Sequence, residues 1–515
     1  MSKPFMSAVT RTALSLLLLA ALVSACPAAK PRVTATPDVT VTQTAPIPDT
    51  PAGQQLTAWL RAFNTGQRDV VRRFVAERFE PPPDRPLPLD DITEHELQLY
   101  RTTHGFEVRK IVASSPAMIS ALVQANWTGI WMKIDVYVTA EPPEYKEAKA
   151  PFKIVGIGRS TADAPTELLP RQPLTLAEIA ARTDTLLAKL VEADAFSGTV
   201  TLARDGQPFY RHASGLASRR WNMPNRHDTR FNLASITKMF TAVAIAQLVE
   251  QGKLAYDDTV GEILPDYPNE QVARTVTVHH LLSHTSGIIG ARALIEKAPG
   301  SRSARTIAEM LTPFVAEPLS FPPGEKFDYS NAGYVLLGAI LERASGLTYY
   351  EYMRERVFDP AGMKDTDFYA LDTDPPNLAE GFVDGPNGSR LNNIFDLDVI
   401  GSPAGGAYAT GEDMARFHRA LVQHKLVSAQ SLATLWTGVM PRGAAMYGYG
   451  AQIEHYNGTR LVWHGGGWKG ITNHFEMYPE LGYTVVILSN FDDDPRAIAS
   501  KLREWLTQGA RPHGR

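Results

Sequence analysis

The sequence predicts a mixed α/β protein: an antiparallel sheet flanked by helices and interrupted by a helical insert, preceded by a small α+β unit. Three observations predict this. Strand-like segments gather near both ends of residues 174–515, at 196–211 and at 447–489. Between them, Ile236 to about Leu435 reads mainly as helix and loop. Ahead of both, residues 53–159 pass from helical spacing to strict alternation. Strands separated by so long an insert must pair into one sheet to bury their apolar faces.

A chain of 515 residues exceeds the size at which one core stops growing, so more than one unit is expected. Hydrophobic residues make up 44% and charged residues 21%, and the formal net charge is −4. That balance gives no basis for binding nucleic acid, which favours a clustered basic surface. A small-molecule or peptide substrate is the expected partner, and the sequence leaves the oligomeric state open.

Residues 1–26 read as a lipoprotein signal peptide. Lys3 and Arg11 precede an apolar run from Ala13 to Val23, and Ser24-Ala25 precede Cys26. The run is too short to favour a permanent spanning helix. Val23-Ser24-Ala25-Cys26 resembles a bacterial lipobox, which implies lipidation at Cys26, the single cysteine of the chain. The expectation is an exported lipoprotein of the bacterial cell envelope, attached to the membrane by its lipid and facing the periplasm. Without a second cysteine there is no internal disulfide. Residues 27–52, with Pro27, Pro31, Pro37, Pro46, Pro48 and Pro51, read as an extended linker.

In residues 53–159, Leu56, Trp59, Leu60 and Phe63 follow helical spacing. Met132, Ile134, Val136 and Val138 then alternate with Trp131, Lys133, Asp135 and Tyr137, the pattern of a strand. Helix first and strands later resembles the cone-shaped NTF2-like group. No catalytic constellation occurs here, so this accessory domain reads as a spacer or lid. Pro165, Pro170 and Pro173 mark residues 160–173 as a linker.

Residues 174–515 open with a helix from Leu176 to Val191 and a hairpin, Phe196–Arg204 and Gln207–Arg211, turning at Asp205-Gly206. They end with strands at Tyr447–His455, Thr459–Trp463, Ile471–Tyr478 and Tyr483–Ser489 and a helix at Arg496–Thr507. In the insert, Met239 to Val249 is apolar on every side, as a core helix requires, and Gln251-Gly252 stops it. Ser235 stands at its head with Lys238 three residues on, on the same face. The positive helix end favours an alkoxide, and a desolvated lysine can stay neutral and take its proton. A capping serine with a snorkelling lysine fits these two residues equally well.

Two further segments carry candidate groups. In Pro322-Pro323-Gly324-Glu325-Lys326-Phe327-Asp328-Tyr329-Ser330-Asn331, a phenol and an amide two positions apart can project together from a loop. A loop tyrosine and a helix-capping asparagine fit as well. Trp463-His464-Gly465-Gly466-Gly467-Trp468 follows a strand, where glycines let a substrate approach the backbone. It also fits a flexible turn. His279, His280 and His284 lack an accompanying carboxylate or H-E-x-x-H pattern, so no metal site and no cofactor are expected.

Taken in order, Ser235-x-x-Lys238, Tyr329-x-Asn331 and His464-x-Gly466 resemble the three motifs of the class C β-lactamase and low-molecular-weight penicillin-binding-protein family of serine hydrolases. The segments Gly252 to Asp258, His280 to Gly287 and Pro360 to Met363 are similar to the family too. The resemblance spans about residues 196–490. It implies a β-lactamase/transpeptidase-like fold and a covalent acyl-serine intermediate. Ser235 would be the nucleophile, and Lys238 and Tyr329 would share base and acid roles. Asn331 would contact substrate, and the amides of Ser235 and Gly467 would bind the oxyanion. His464 stands where β-lactamases of this family carry lysine, which implies slow β-lactam hydrolysis, with Trp468-Lys469 partly replacing the lost charge. The expected function is cleavage of an ester or amide, of the D-amino-acid peptide or small-ester kind. The alternative is a poorly active penicillin-binding or sensor protein that retains the fold.

Overall fold

The computed structural model describes residues 45–81, 83, 85–139, 152–290, 301–373, 375–385 and 389–509. Cys26, the signal segment and residues 27–44 of the Pro-rich linker lie outside the described residues. The helix α1 (Pro51–Phe63) starts where Thr50 caps it, its hydroxyl accepting from Gly53 N at 3.1 Å, with proline at the first position. Helices α2 (Arg68–Arg78) and α3 (Leu89–Thr103) follow. Strands β1 (Phe106–Ser114), β2 (Met118–Ala125), β3 (Trp131–Val138) and β4 (Ile154–Thr161) then form a sequential antiparallel sheet. Ile134, Val136 and Val138 point into the core with Leu56, Trp59 and Phe63 of α1.

Residues 160–173 differ from a free linker. Ser160 and Thr161 still belong to β4. Beyond them the chain is tied to the large sheet and its last helix: Tyr456 Oη donates to Ala164 O, Ser500 Oγ to Ala162 O, and Arg503 pairs with Asp163 at 2.8 Å. A Pro-rich segment supplies carbonyls with no helix or strand to consume them, and neighbouring donors satisfy them.

Helix α4 (Leu176–Glu192) opens with a capping box, Thr175 with Glu178. The hairpin of β5 (Gly198–Arg204) and β6 (Gln207–Ser214) turns on Asp205 and Gly206, both at positive φ, 52° and 73°. The insert contributes α5 (Thr237–Glu250), α6 (Asn331–Ser345) and α7 (Gly411–Val422). Strands β7 (Met440–Arg442), β8 (Ala445–Tyr447), β9 (Gln452–Tyr456), β10 (Thr459–Trp468), β11 (Ile471–Tyr478) and β12 (Tyr483–Ser489) return, and α8 (Arg496–Thr507) closes the described fold. The eight-stranded sheet runs β7-β8-β9-β10-β11-β12-β5-β6, antiparallel throughout. Among the described residues no helix is long and apolar enough to cross a membrane.

The sheet separates two cores. One face packs Val462, Phe475 and Met477 on the insert, with Phe240 and Ile245 of α5 and Phe417 of α7. The other packs Leu461, Tyr478 and Val485 against Leu187 of α4 and Leu502 of α8, and this core runs on into Ile134 and Trp59 of the accessory unit. Residues 53–159 and 174–509 thus share apolar surface instead of each closing a separate core.

Candidate active site

The turn before α5 is built under strain. Phe231-Asn232 pairs antiparallel with Tyr408-Ala409, and the chain then bends through Ala234 at φ 44°. A left-handed conformation at a non-glycine residue costs on the order of 1–3 kcal/mol and persists only where surroundings hold it. Here Ala234 N donates to its neighbour's Asn232 Oδ1 at 2.9 Å, and Asn473 Nδ2 donates to Asn232 O at 2.7 Å. A Cβ added at Gly466 would lie 2.1 Å from Leu233 O, so β10 packs its bare backbone on this turn. Ser235 sits in the single 3₁₀ turn Ala234–Ile236, directly before α5.

Lys238 lies one turn on and is fully buried. Its Nζ is 3.3 Å from Ser235 Oγ and donates to Asn331 Oδ1 at 2.8 Å and to Ala404 O. It also faces the Tyr329 ring, 4.8 Å from its centroid. No carboxylate is among these partners. Burial, helped by the positive Arg442, drives its pKa well below the usual lysine value. A neutral amine beside a serine hydroxyl at the head of a helix can accept that hydroxyl's proton.

Tyr329 is half-buried, and its hydroxyl, itself buried, meets no hydrogen-bond partner of good geometry within the protein. Burial pushes the phenol up to about 12, with Ser235 and Arg442 opposing the shift, so it is a proton donor across ordinary pH. Asn331 opens α6 but does not cap it. Ser330 is the cap, its Oγ accepting from Gly333 N at 3.1 Å. With Oδ1 occupied by Lys238, the Asn331 amide N–H₂ is left to donate.

His464 differs from the expected turn. The strand does not stop at Trp463; β10 continues through Trp468, and Val462 to Trp468 pair with β11. On the other side β9 pairs only as far as Trp463, so His464 to Trp468 form a free edge there. The glycines, which also fit a turn, here let an extended strand lie against the nucleophile turn. His464 is buried, and burial, followed by the charge of Lys238, drives its pKa down to about 3. The imidazole is neutral. Its tautomer follows from its partners: Ser330 N donates to His284 Nδ1 at 3.1 Å, so His284 Nε2–H donates to Tyr447 Oη, 3.2 Å. Tyr447 donates onward to His464 Nε2, 3.2 Å, leaving His464 Nδ1–H to face Gly465 O, 2.6 Å. His284 thus backs the site from behind Tyr329, its ring centroid 4.2 Å from the phenol ring.

The lost lysine charge is not made up by Lys469, which is exposed and pairs with Asp396 at 2.7 Å. A different cation, Arg442 at the end of β7, lies beside Tyr329. Its guanidinium packs on the rings of Tyr329 at 4.9 Å and of Phe327 and Tyr447 at 5.6 Å each. Its Nη1 is buried without a partner and the residue lines the cleft. Sequence reading missed Arg442 because it stands 22 positions before His464, outside any motif. The Ala404 carbonyl lies outside any motif as well, and Ala234, though next to Ser235, carries no residue-type signal of its positive φ.

Ser235 opens onto two cavities. One, about 430 Å³, lies toward the insert and is lined by Asn331, Met310, Phe314, Leu397 and Trp468. The other, about 770 Å³, passes Arg442 and the glycines of β10. Ser235, Tyr329 and Gly467 border both. The three motifs, spread along the chain from Ser235 to Gly467, converge on one point. Among the described residues no group of three or more His, Cys, Asp or Glu side chains is placed to hold a metal.

Comparison with known proteins agrees with this geometry. The family described as Beta-lactamase matches residues 183–508. Penicillin-binding protein 4* of Bacillus subtilis is 32% identical over 327 residues, covering 60% of this chain and 71% of the relative. Esterase EstB of Burkholderia gladioli is 30% identical over 363 residues, covering 62% and 92%. The crystal structure of a penicillin-binding protein from Bacillus halodurans superposes with a TM-score of 0.56 at 34% identity, covering 64% of this chain and 99% of that one. A D-stereospecific amidohydrolase from Streptomyces sp. superposes with a TM-score of 0.54 at 25% identity, covering 62% and 97%. By its family match, its mixed α/β architecture and its solved neighbours, the chain belongs to the β-lactamase family of serine hydrolases, which includes penicillin-binding proteins, esterases and D-stereospecific amidohydrolases.

Proposed function

We propose that the protein cleaves an ester or amide through an acyl-enzyme on Ser235. The observation that carries this reading is Lys238, buried without a carboxylate and 3.3 Å from Ser235 Oγ. Lys238 takes the serine proton as the hydroxyl attacks the substrate carbonyl. The Ser235 and Gly467 amides receive the oxyanion. Tyr329, protonated and aimed at the serine, returns a proton to the leaving group. Asn331 holds Lys238 through Oδ1 and donates to the substrate. Water then attacks the acyl-serine and restores the enzyme. The neutral His464 favours activated esters over penicillins, whose carboxylate a lysine at that position would hold. We also propose export and anchoring at the cell envelope through a lipid on Cys26. Replacing Cys26 by serine is expected to release the chain from bacterial membranes, as fractionation would show.

Intact-mass analysis after treatment with a fluorophosphonate tests the mechanism. One adduct, mapped to Ser235 and lost in Ser235→Ala together with turnover, is expected. Lys238→Ala should slow acylation by about 10²–10⁴-fold, the usual worth of positioned proton transfer. Normal turnover in Ser235→Ala, or an adduct on another serine, overturns the reading. A protein that labels but never turns over a panel of esters and amides is a sensor instead.

A further inference from the structure

The larger cavity beside Ser235 does not end within residues 174–515. Its lining includes Thr161, Ala162 and Asp163, the end of β4 and the residues after it, together with Asp494 and Arg503, which they contact. These wall residues are held in place. Thr161 Oγ1 donates to Asp494 Oδ2 at 3.1 Å, Ser500 Oγ donates to Ala162 O at 2.7 Å, and Asp163 pairs with Arg503. The accessory unit therefore touches the cleft at a fixed place.

The passage between Ser235 and that wall runs over β10, and the glycines there divide into two kinds. Gly466 is closed in, its missing Cβ 2.1 Å from Leu233 O. Gly465 is open: a Cβ there would meet only Asn473 O, at 3.7 Å. Backbone packing demands Gly466 but does not demand Gly465, whose bareness keeps the passage clear.

The lining states what the passage takes. Its charges are mostly matched: Asp163 and Glu454 with Arg503, Asp494 with Arg496. Arg442, stacked on aromatic rings at the reacting end, has no carboxylate partner; farther along, a chain charged along its length would have to break those pairs. Besides the Tyr329 hydroxyl at the reacting end, two buried polar atoms of the lining are without partners, Arg442 Nη1 and His474 Nδ1. Unpaired groups so placed want hydrogen-bond partners from a ligand. Neutral amides, which both donate and accept, meet that requirement along a chain, and about 770 Å³ holds several residues.

We infer that the accessory unit, through Thr161 to Asp163, completes a second arm of the active-site cleft that binds an uncharged, peptide-like chain extending several residues from the scissile bond. This rests on the acyl-serine reading for Ser235 but is tested apart from it.

Two full-length variants narrow the arm from opposite walls, Gly465→Leu on β10 and Thr161→Phe on the accessory unit. Two series of p-nitrophenyl and depsipeptide esters, with one to four alanyl residues added on the acyl or on the leaving-group side, measure the effect on kcat/KM. In one series the unmodified protein should gain about tenfold or more with length. Both variants should lose that gain and keep turnover of p-nitrophenyl butyrate within about twofold. Binding is read without chemistry by titrating blocked tetra-alanine into Ser235→Ala, alone and combined with each narrowing variant. Binding to Ser235→Ala that is lost in both combinations supports the arm even if no ester is turned over, in which case only the hydrolase reading falls. Ester turnover with no length dependence in either series overturns the arm. So does a length gain or tetra-alanine binding that survives both variants, or no tetra-alanine binding at all. If Gly465→Leu also loses butyrate turnover, Thr161→Phe, remote from Ser235, decides.

Discussion

Lys238 and Arg503 are both buried cations, they lie against opposite faces of one sheet, and they meet opposite fates. Lys238, on the insert side, is fully buried with a carbonyl, an amide and a hydroxyl as partners. Arg503, on the accessory side, is 7% exposed and pairs with Glu476 at 2.6 Å, Asp163 at 2.8 Å and Glu454 at 3.3 Å. Burial opposes the charge in both cases. Nothing negative offsets it at Lys238, so the pKa falls. At Arg503 the carboxylates more than reverse it, and the pKa ends well above the usual value. Burial would likewise raise Glu476, but Arg503 and His474 pull it below the ordinary range. The difference teaches that depth alone does not set protonation; the presence or absence of carboxylate partners does. One face thereby holds a base, and the other holds two parts of the chain together.

Converting one environment into the other should break the contrast. Lys238→Arg puts a cation that cannot deprotonate where no carboxylate waits. Ester turnover should fall by about 10²–10⁴-fold, as in Lys238→Ala, and thermal stability should drop as well. Retained activity would show that a neutral amine is not needed. On the other face, Arg503→Met leaves Glu476 buried with only His474 beside it. Denaturant unfolding should report a loss of about 3–5 kcal/mol. A neutral result would mean that the ion cluster does not hold the two regions together.

A gentler change supplies Lys238 with the carboxylate it lacks. Asn331→Asp sets a negative charge 2.8 Å from Nζ. It should raise the lysine pKa by about 1–3 units, moving the acid limb of the kcat/KM profile to higher pH by that amount. An unmoved limb would assign it to another group. The unmodified protein should show no limb from His464, whose pKa lies near 3.

The smallest effect concerns the buried imidazoles. His464 and His418 are neutral when folded, at about 3 and about 4, against 6.5 for an ordinary imidazole. The unfolded chain therefore binds more protons from about pH 6.5 down to about 4 for His418 and about 3 for His464. Stability contributed by these neutral rings is present above 6.5 and lost as the pH falls through that window. Tm should decline across it, and His418→Gln should flatten part of the decline. An identical slope in the variant would place the titration elsewhere.

Much of this was legible in local pattern. The strands Ile471–Tyr478 and Tyr483–Ser489 and the helix Arg496–Thr507 end where alternation, turn residues and helical spacing say they should. The run after Lys238, apolar but for Thr241 and Gln247, reads directly as a core helix, because a helix with no polar face has nowhere else to go. The spacing of Ser235 and Lys238 places both on one face of it. Local pattern also misleads where tertiary contacts override it. The glycines after His464 look like a turn, yet they continue a strand because Leu233 lies too close for any side chain.

Other features had no local signature. The neutral state of Lys238 depends on which groups surround it in space, and those come from Asn331, Ala404 and Tyr329. Arg442 reaches the site only because β7 folds back beside the loop that carries Phe327 and Tyr329. Thr161 to Asp163 become a wall of the cleft only because α8 lies against them. By itself the sequence determined the elements, their order and the chemistry of the three motifs, since periodicity and residue type act over a few neighbouring positions. The tertiary structure alone decided the protonation of the base, the source of the cation and the extent of the cleft. Dielectric environment, charge pairing and cavity shape are sums over atoms far apart in the chain.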